Sequence, residues 1–169
     1  MNETCVNALT RAKLPGEMLK DLLATIWRRA PKRVRRWTTR LTHTRFGATA
    51  AAIIINNQGQ VLLLKHVFRP GSGWGIPGGF LQTGEQPEMG LRRELQEEVG
   101  LDLERVELYT IRVFKRPNQI EIVFRCSTNG DAQPRSMEVS RVGWFGFDNL
   151  PDGLPKDQRE LIRKALAED

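Results

Sequence analysis

The stretch Gly79–Leu101, GFLQTGEQPEMGLRRELQEEVGL, places Glu94, Glu97 and Glu98 close together on what its spacing predicts to be a helix. Residues three and four apart share a helix face, so these carboxylates crowd one another. Like charges so placed cost about 0.2–0.5 kcal/mol per pair in an isolated helix. A cation between them would turn that cost into binding energy. Leu91, Leu95 and Val99 stand four apart and are expected to be the buried stripe, with the three glutamates on a neighbouring exposed edge. Thr83-Gly84-Glu85 is expected to open the helix, with Thr83 as its cap, and Gly100 to close it. Hard carboxylate oxygens with no Cys or His beside them suit Mg²⁺ or Mn²⁺, not zinc.

Before this stretch lies the Gly-rich loop FRPGSGWGIPGGF, whose Gly78 and Gly79 let backbone carbonyls and a phosphate approach closely. Before that, Ala50–Ile55 and Val61–Leu64 are apolar runs around the turn Asn56-Asn57-Gln58-Gly59 and read as a hairpin buried on both faces. After the helix, Glu104–Lys115 and Gln119–Cys126 have strand composition around Arg116-Pro117-Asn118. Arg141–Phe147 is a further strand and Pro155–Ala167 a closing helix. Strands with one helix inserted and another at the end predict an α/β fold, a mixed sheet covered on both faces.

Bulk properties fit a soluble globular chain: 169 residues, 40% hydrophobic and 27% charged. No apolar run is long enough to span a bilayer, and the N-terminus has no secretory pattern. Two distant cysteines, Cys5 and Cys126, make neither a disulfide framework nor a zinc spacing, so a cytoplasmic setting is expected. The net charge of +6 is unevenly spread. Residues 1–45 hold 11 Lys/Arg against 3 Asp/Glu, a balance of +8, and residues 46–169 hold 15 against 17, a balance of −2. The division expected is therefore a basic extension, 1–45, and a main domain, 46–169. In the extension Leu14, Met18, Leu19, Leu22, Leu23, Ile26 and Trp27 recur at helical spacing, and Val34, Trp37 and Leu41 continue beyond Pro31. Two short amphipathic helices are expected. They would pack on the domain, join two copies into a homodimer, or meet nucleic acid or an anionic membrane surface.

The longer pattern narrows the reading. Gly79, Glu85, Arg93-Glu94-Leu95, Glu97-Glu98 and Gly100-Leu101, at these spacings, resemble the Nudix hydrolase signature at every fixed position. The resemblance implies the Nudix α/β/α sandwich over 46–169. It also implies cleavage of a nucleoside diphosphate linked to another moiety, X, at the pyrophosphate with Mg²⁺ or Mn²⁺. The implied metal ligands are Glu94, Glu97 and Glu98, joined by the carbonyl of Gly79. Glu85 and Arg93 correspond to a pair that holds those carboxylates in place. Such a reaction needs a carboxylate to take the proton of the attacking water. Glu97 and Glu98 are candidates on the helix. Glu138, six residues before Trp144, is the candidate outside it, and its alternative is an ordinary surface acid.

A pyrophosphate also needs cations and a base needs a stacking surface. Arg69, in the loop before the glycines, and Arg112 are the basic candidates, with Lys65, Lys115 and Arg116 also flanking strands; Phe80, Phe114 and Trp74 are the aromatic ones. His66 follows a core strand and reads as structural. Pro117, sixteen residues after Leu101, sits where the family's ADP-ribose pyrophosphatases carry a proline, which tilts X toward ADP-ribose or a nucleotide sugar. The alternatives are a noncanonical nucleoside triphosphate or an RNA 5′ end as substrate, or a catalytically silent nucleotide sensor.

Overall fold

The computed structural model describes residues 15–29, 31 and 45–167. The chain divides between Thr44 and Arg45 into two units. In the first, α1 (Pro15–Arg29) starts on a proline, whose missing N–H is no loss in a first turn, and carries Arg28 and Arg29 at its negative end. Met18, Leu19, Leu22, Leu23 and Ile26 are exposed along it. The second helix expected there, with Val34, Trp37 and Leu41, lies outside the described residues. No described helix is long and apolar enough to cross a membrane.

The second unit runs β1 (Gly47–Ile54), β2 (Val61–His66), β3 (Trp74–Gly75), β4 (Gly78–Phe80), α2 (Pro87–Val99), β5 (Arg105–Phe114), β6 (Gln119–Ser127), β7 (Val139–Phe145), a 3₁₀ turn (Phe147–Asn149) and α3 (Lys156–Ala167). Its strands form two sheets, ordered β4-β1-β6-β5 and β3-β2-β7. The first is mixed: β1 runs parallel to β6 and antiparallel to β4, and β5 antiparallel to β6. Alternation along β1 and β2 explains their unbroken apolar runs. Ala50, Ala52, Ile54, Leu62 and Leu64 pack with Leu91, Leu95 and Val99 of α2. Ala51, Ile53, Val61 and Leu63 pack with Leu161, Ile162 and Ala165 of α3. Each strand thus serves two cores. Trp74 closes one of them edge-on to Phe145, ring centroids 5.1 Å apart.

The hairpin expected from residues 50–64 does not form. The turn itself is present: Asn56 Oδ1 accepts the N–H groups of Gln58 (3.0 Å) and Gln60 (2.9 Å). Beyond it β1 and β2 share a single bridge, Ile55 to Val61, and part into separate sheets. Both strands already have neighbours on either edge, β4 and β6 for β1, β3 and β7 for β2, so neither has a free edge for the other. The strand expected at 141–147 starts two residues earlier, at Val139, and Phe147 belongs to the 3₁₀ turn.

Candidate active site

The acidic helix begins later than its sequence suggests. Thr83 is not its cap; Gln86 is the N-cap and makes no side-chain cap bond, and Pro87 opens the helix. Residues 83–85 instead form a loop that delivers Glu85. The Glu85 carboxylate accepts the Gln82 N–H at 2.8 Å and a two-pronged pair from Arg93, at 2.9 and 3.0 Å. Arg93, with Gln82 adding a smaller pull, holds the Glu85 carboxyl down at about 2. The Arg93 guanidinium continues to Glu94 at 2.8 Å, Glu97 at 3.4 Å and the carbonyl of Phe80 at 3.3 Å. One cation therefore organises the acidic edge, and its own pKa is raised, chiefly by Glu85.

That edge is graded, not uniformly exposed. The Glu97 side chain is 62% exposed, whereas Glu98 is 6% exposed and belongs to the buried residues. The turn of the helix explains this: Glu98 lies between Leu95 and Val99 and faces inward. Its Oε1 stands 3.7 Å from His66 Nδ1, and its Oε2 is buried with no hydrogen-bond partner. His66 Nε2 and Arg69 Nη1 are buried and unpartnered beside it. Among the described residues these three are the buried side-chain atoms left unsatisfied, and all three line one cleft. Such groups cost about 1–3 kcal/mol each, so their convergence marks a place meant for something else. Burial, then the charges of Glu94 and Glu138, push Glu98 up to about 7. Burial, then Arg69, pulls His66 down to about 4, so it is neutral near pH 7.

The cleft encloses about 500 Å³ and brings Arg69, Gly79, Phe80, Glu94, Glu97, Glu98 and Glu138 together. Gly79 lies in β4 opposite Ala50. The Glu94 carboxylate occupies the space where a Cβ of residue 79 would stand, within 2.3–2.7 Å, so glycine lets strand and carboxylate meet. Glu138 arrives on the β6–β7 loop, which is strapped to the end of α2: Arg135 and Gln133 donate to the carbonyls of Glu98 (2.8 Å) and Val99 (3.1 Å). The Glu138 carbonyl in turn accepts the N–H of Val67 at 2.8 Å, fastening the loop that carries Arg69.

Two sequence candidates fall outside this cleft. Arg112 does not face it as a free cation. Its guanidinium is taken up by Glu121 (2.8 Å from Nε) and Asp157 (2.9 Å), and it borders a neighbouring cavity with Tyr109 and Lys164. Phe114 lies under that guanidinium, 5.0 Å from ring centroid to Cζ, and is absent from the cleft wall. The reason is the register: Arg112 pairs directly with Glu121 across β5 and β6, so the cation meets a carboxylate before it can meet a phosphate. Conversely, Thr49, His66, Gln119, Glu121 and Gln158 line the cleft without having been selected. Gln119 and Glu121 had a legible mark, being polar residues that alternate with Ile120 and Ile122 at the start of a strand.

The raised Glu98 predicts a pH dependence of stability. In the unfolded chain this carboxyl ionises near 4.5, in the fold near 7, so the native state binds the extra proton. Stability of chelator-treated protein is expected to fall as pH rises from about 4.5 through 7 and then level off, by up to about 3 kcal/mol. Thermal unfolding in EDTA between pH 4.5 and 8 reads this, and Glu98→Gln should flatten the profile. An unchanged slope in that variant would contradict it.

Comparison with known proteins agrees with this geometry. Residues 45–165 match the family model of the NUDIX domain. A MutT-like protein of Streptomyces ambofaciens is 30% identical over 107 residues, 63% of this chain and 68% of that one. The NAD-capped RNA hydrolase NudC of Vibrio cholerae is 28% identical over 119 residues, 69% of this chain; the match spans only 44% of the relative's length. The crystal structure of a MutT Nudix hydrolase from Burkholderia pseudomallei superposes with a TM-score of 0.63 at 27% identity, covering 71% of this chain and 98% of that one. With the domain matched from residue 45 to residue 165 and the fold shared, this chain belongs to the Nudix hydrolase family.

Proposed function

We propose that the unit beginning at Arg45 is a divalent-metal-dependent pyrophosphohydrolase that cleaves the phosphoanhydride of a nucleoside diphosphate derivative. The observation that carries this is the buried, unpartnered carboxylate oxygen of Glu98, set among Glu94, Glu97 and Glu138 in one cleft. The donor set fits Mg²⁺ or Mn²⁺: hard carboxylate oxygens, an orphaned one among them, and a glycine that admits Glu94 to the backbone of β4. Among the described residues no three His, Cys, Asp or Glu side chains already close into a metal cage. Glu94 and Glu97 instead lean on Arg93, the cation at hand.

In this reading Glu94, Glu97 and Glu98, with the carbonyl of Gly79, would hold the metal. A bound divalent cation supplies charge neutralisation at the phosphoryl oxygens and a more acidic water. Glu138, for which the described residues provide no salt bridge, takes the water's proton, with Glu98 the alternative base. Arg69 binds a non-bridging phosphate oxygen through the N–H that is otherwise unsatisfied. Water oxygen bonds to phosphorus, the bridging P–O bond breaks, and two phosphomonoesters leave. Glu85 and Arg93 hold the carboxylates in register.

Pro117 supports ADP-ribose or a nucleotide sugar as X. A second reading, a capped or triphosphorylated RNA 5′ end, is favoured by the relatives named NAD-capped RNA hydrolase and by the +8 balance of residues 1–45. A noncanonical triphosphate is suggested by the MutT-like relatives. For the extension we propose a contact with an anionic polymer or surface, or with a second copy, and for the protein a cytoplasmic setting.

A substrate panel with Mg²⁺ or Mn²⁺ decides among these: ADP-ribose, nucleotide sugars, nucleoside triphosphates and 5′-capped or 5′-triphosphate RNA, with products identified by mass. AMP and ribose 5-phosphate from ADP-ribose support the leading reading. RNA turnover that drops on deleting residues 1–44, with salt-sensitive binding, supports the second. No turnover with nucleotide still bound would favour the silent sensor.

A further inference from the structure

The carboxylates account for only one end of the cleft. One residue back along β1 from the Ala50–Gly79 pair, Thr49 faces Phe80 of β4; two residues further back, Gly47 faces Gln119 of β6. These positions lie up to about 10 Å along the strand from the Gly79 level, the reach of a ribose phosphate. Phe80, Thr49 and Gln119 all line the cleft. Phe80 is 65% exposed, a large share for an aromatic ring on a sheet. The ring lies over β1, where a Cβ at residue 47 would come within 3.3 Å of Phe80 Cε1. Gly47 therefore keeps a flat aromatic platform against the strand while leaving the ring open to the cleft.

The amide beside that platform is held by one hydrogen bond, with its nitrogen toward Thr49. Thr49 Oγ1 accepts from Gln119 Nε2 at 2.8 Å, and the carbonyl of Ile120, 3.5 Å from the hydroxyl, lies on the side toward which its proton can turn. Nitrogen therefore faces Thr49, and the carbonyl Oε1 of Gln119, which accepts no bond among the described residues, is the acceptor presented to a ligand. An aromatic face next to a hydrogen-bond acceptor is matched to a planar base bearing an exocyclic amine.

We propose that Phe80 and Gln119 form the base subsite of this cleft, Phe80 stacking on the base and Gln119 Oε1 accepting from an exocyclic amine, with Thr49 fixing the amide. This rests on the cleft's being a nucleotide site and names the class of nucleoside it takes: amino-bearing, as adenine is, in preference to its oxo counterpart. Gln119 is a specificity-determining residue and Thr49 a positioning residue.

The test is calorimetric binding of AMP and of IMP, which differ at the amine, to the full chain, with ADP-ribose and IDP-ribose turnover measured on the same samples. Wild type should bind AMP about tenfold more tightly than IMP, the worth of one good hydrogen bond. Gln119→Leu should bring that ratio near one while leaving the melting temperature in place, and Thr49→Val should reduce it. Phe80→Ala should weaken both ligands about tenfold, and Phe80→Tyr should restore them. An AMP-to-IMP ratio unchanged by Gln119→Leu, undiminished affinity in Phe80→Ala, or no binding of either nucleotide by wild type would overturn the subsite. Base discrimination without turnover would count against the hydrolase reading and uphold the subsite; turnover without discrimination would do the reverse.

Discussion

Replacing Glu97 or Glu98 by Gln is expected to lower kcat for the best nucleotide substrate by about 10³-fold or more, the scale set by losing a metal-holding or proton-accepting carboxylate. Gln keeps the volume and one carbonyl oxygen, so the change tests charge and not packing. The two positions should fail for different reasons. Glu98 is buried, with one oxygen unpartnered, and its replacement removes the charge held deepest in the cleft. Glu97 is exposed and restrained mainly by Arg93, so its replacement should leave stability untouched. Glu88→Gln is the control: Glu88 stands on the same helix but pairs with Arg92 at 2.9 Å, away from the cleft. Its rate should stay within a factor of two of wild type. Steady-state kcat and KM on the three variants decide the point. A wild-type kcat in Glu97→Gln and Glu98→Gln would remove the carboxylates from the chemistry.

Gly78→Ala is expected to be the most damaging single methyl in the fold. Residue 78 has φ of 148°, and a Cβ there would stand 2.3 Å from the carbonyl oxygen of Ala50 and 2.6 Å from the Cα of Ala51. Those are backbone atoms of β1, an inner strand hydrogen-bonded on both edges, and they have nowhere to go. Overpacking and conformational strain each cost about 1–3 kcal/mol, so about 3 kcal/mol or more should be lost, or about 10 °C in Tm for a chain of this size. Gly59→Ala is the matched control. Its φ is also positive, 71°, but nothing lies within 4 Å of its Cβ position, so only the conformational cost of about 1–2 kcal/mol applies. Thermal unfolding followed by circular dichroism separates them; equal losses would show that φ alone, and not the approach of β4 to β1, requires glycine at 78.

What the sequence made legible is local. The α2 stripe of Leu91, Leu95 and Val99 follows from a 3.6-residue period and is buried as read, whereas Glu98, read as part of an exposed edge, is buried beside it. The β5–β6 pair was likewise marked by a short turn between two strand-like runs. Pairing between distant segments was not legible. β1 runs parallel to β6, some 70 residues away, and its doubly buried apolar sequence names no partner; turn chemistry at 56–59 therefore suggested the wrong neighbour. The same limit applies to the site. Helical spacing shows that Glu98 adjoins Glu94 but not that its turn faces His66, at the end of β2, and Arg69, on the loop that follows it. Arg112 looked free until the strand register set Glu121 opposite it. Thr49 carries no motif and Gln119 only its polarity in a strand, and the parallel pairing of β1 with β6 sets them side by side.

Metal binding by these glutamates is read by a Mn²⁺ titration of chelator-stripped protein followed by electron paramagnetic resonance, on wild type and on a Glu97→Gln, Glu98→Gln double variant. Wild type should bind Mn²⁺ saturably, with displacement by Mg²⁺, and the double variant should lose that binding with its fold intact. Mn²⁺ bound equally well by both proteins, or by neither, would contradict the claim that these glutamates are grouped to hold a divalent cation against a pyrophosphate.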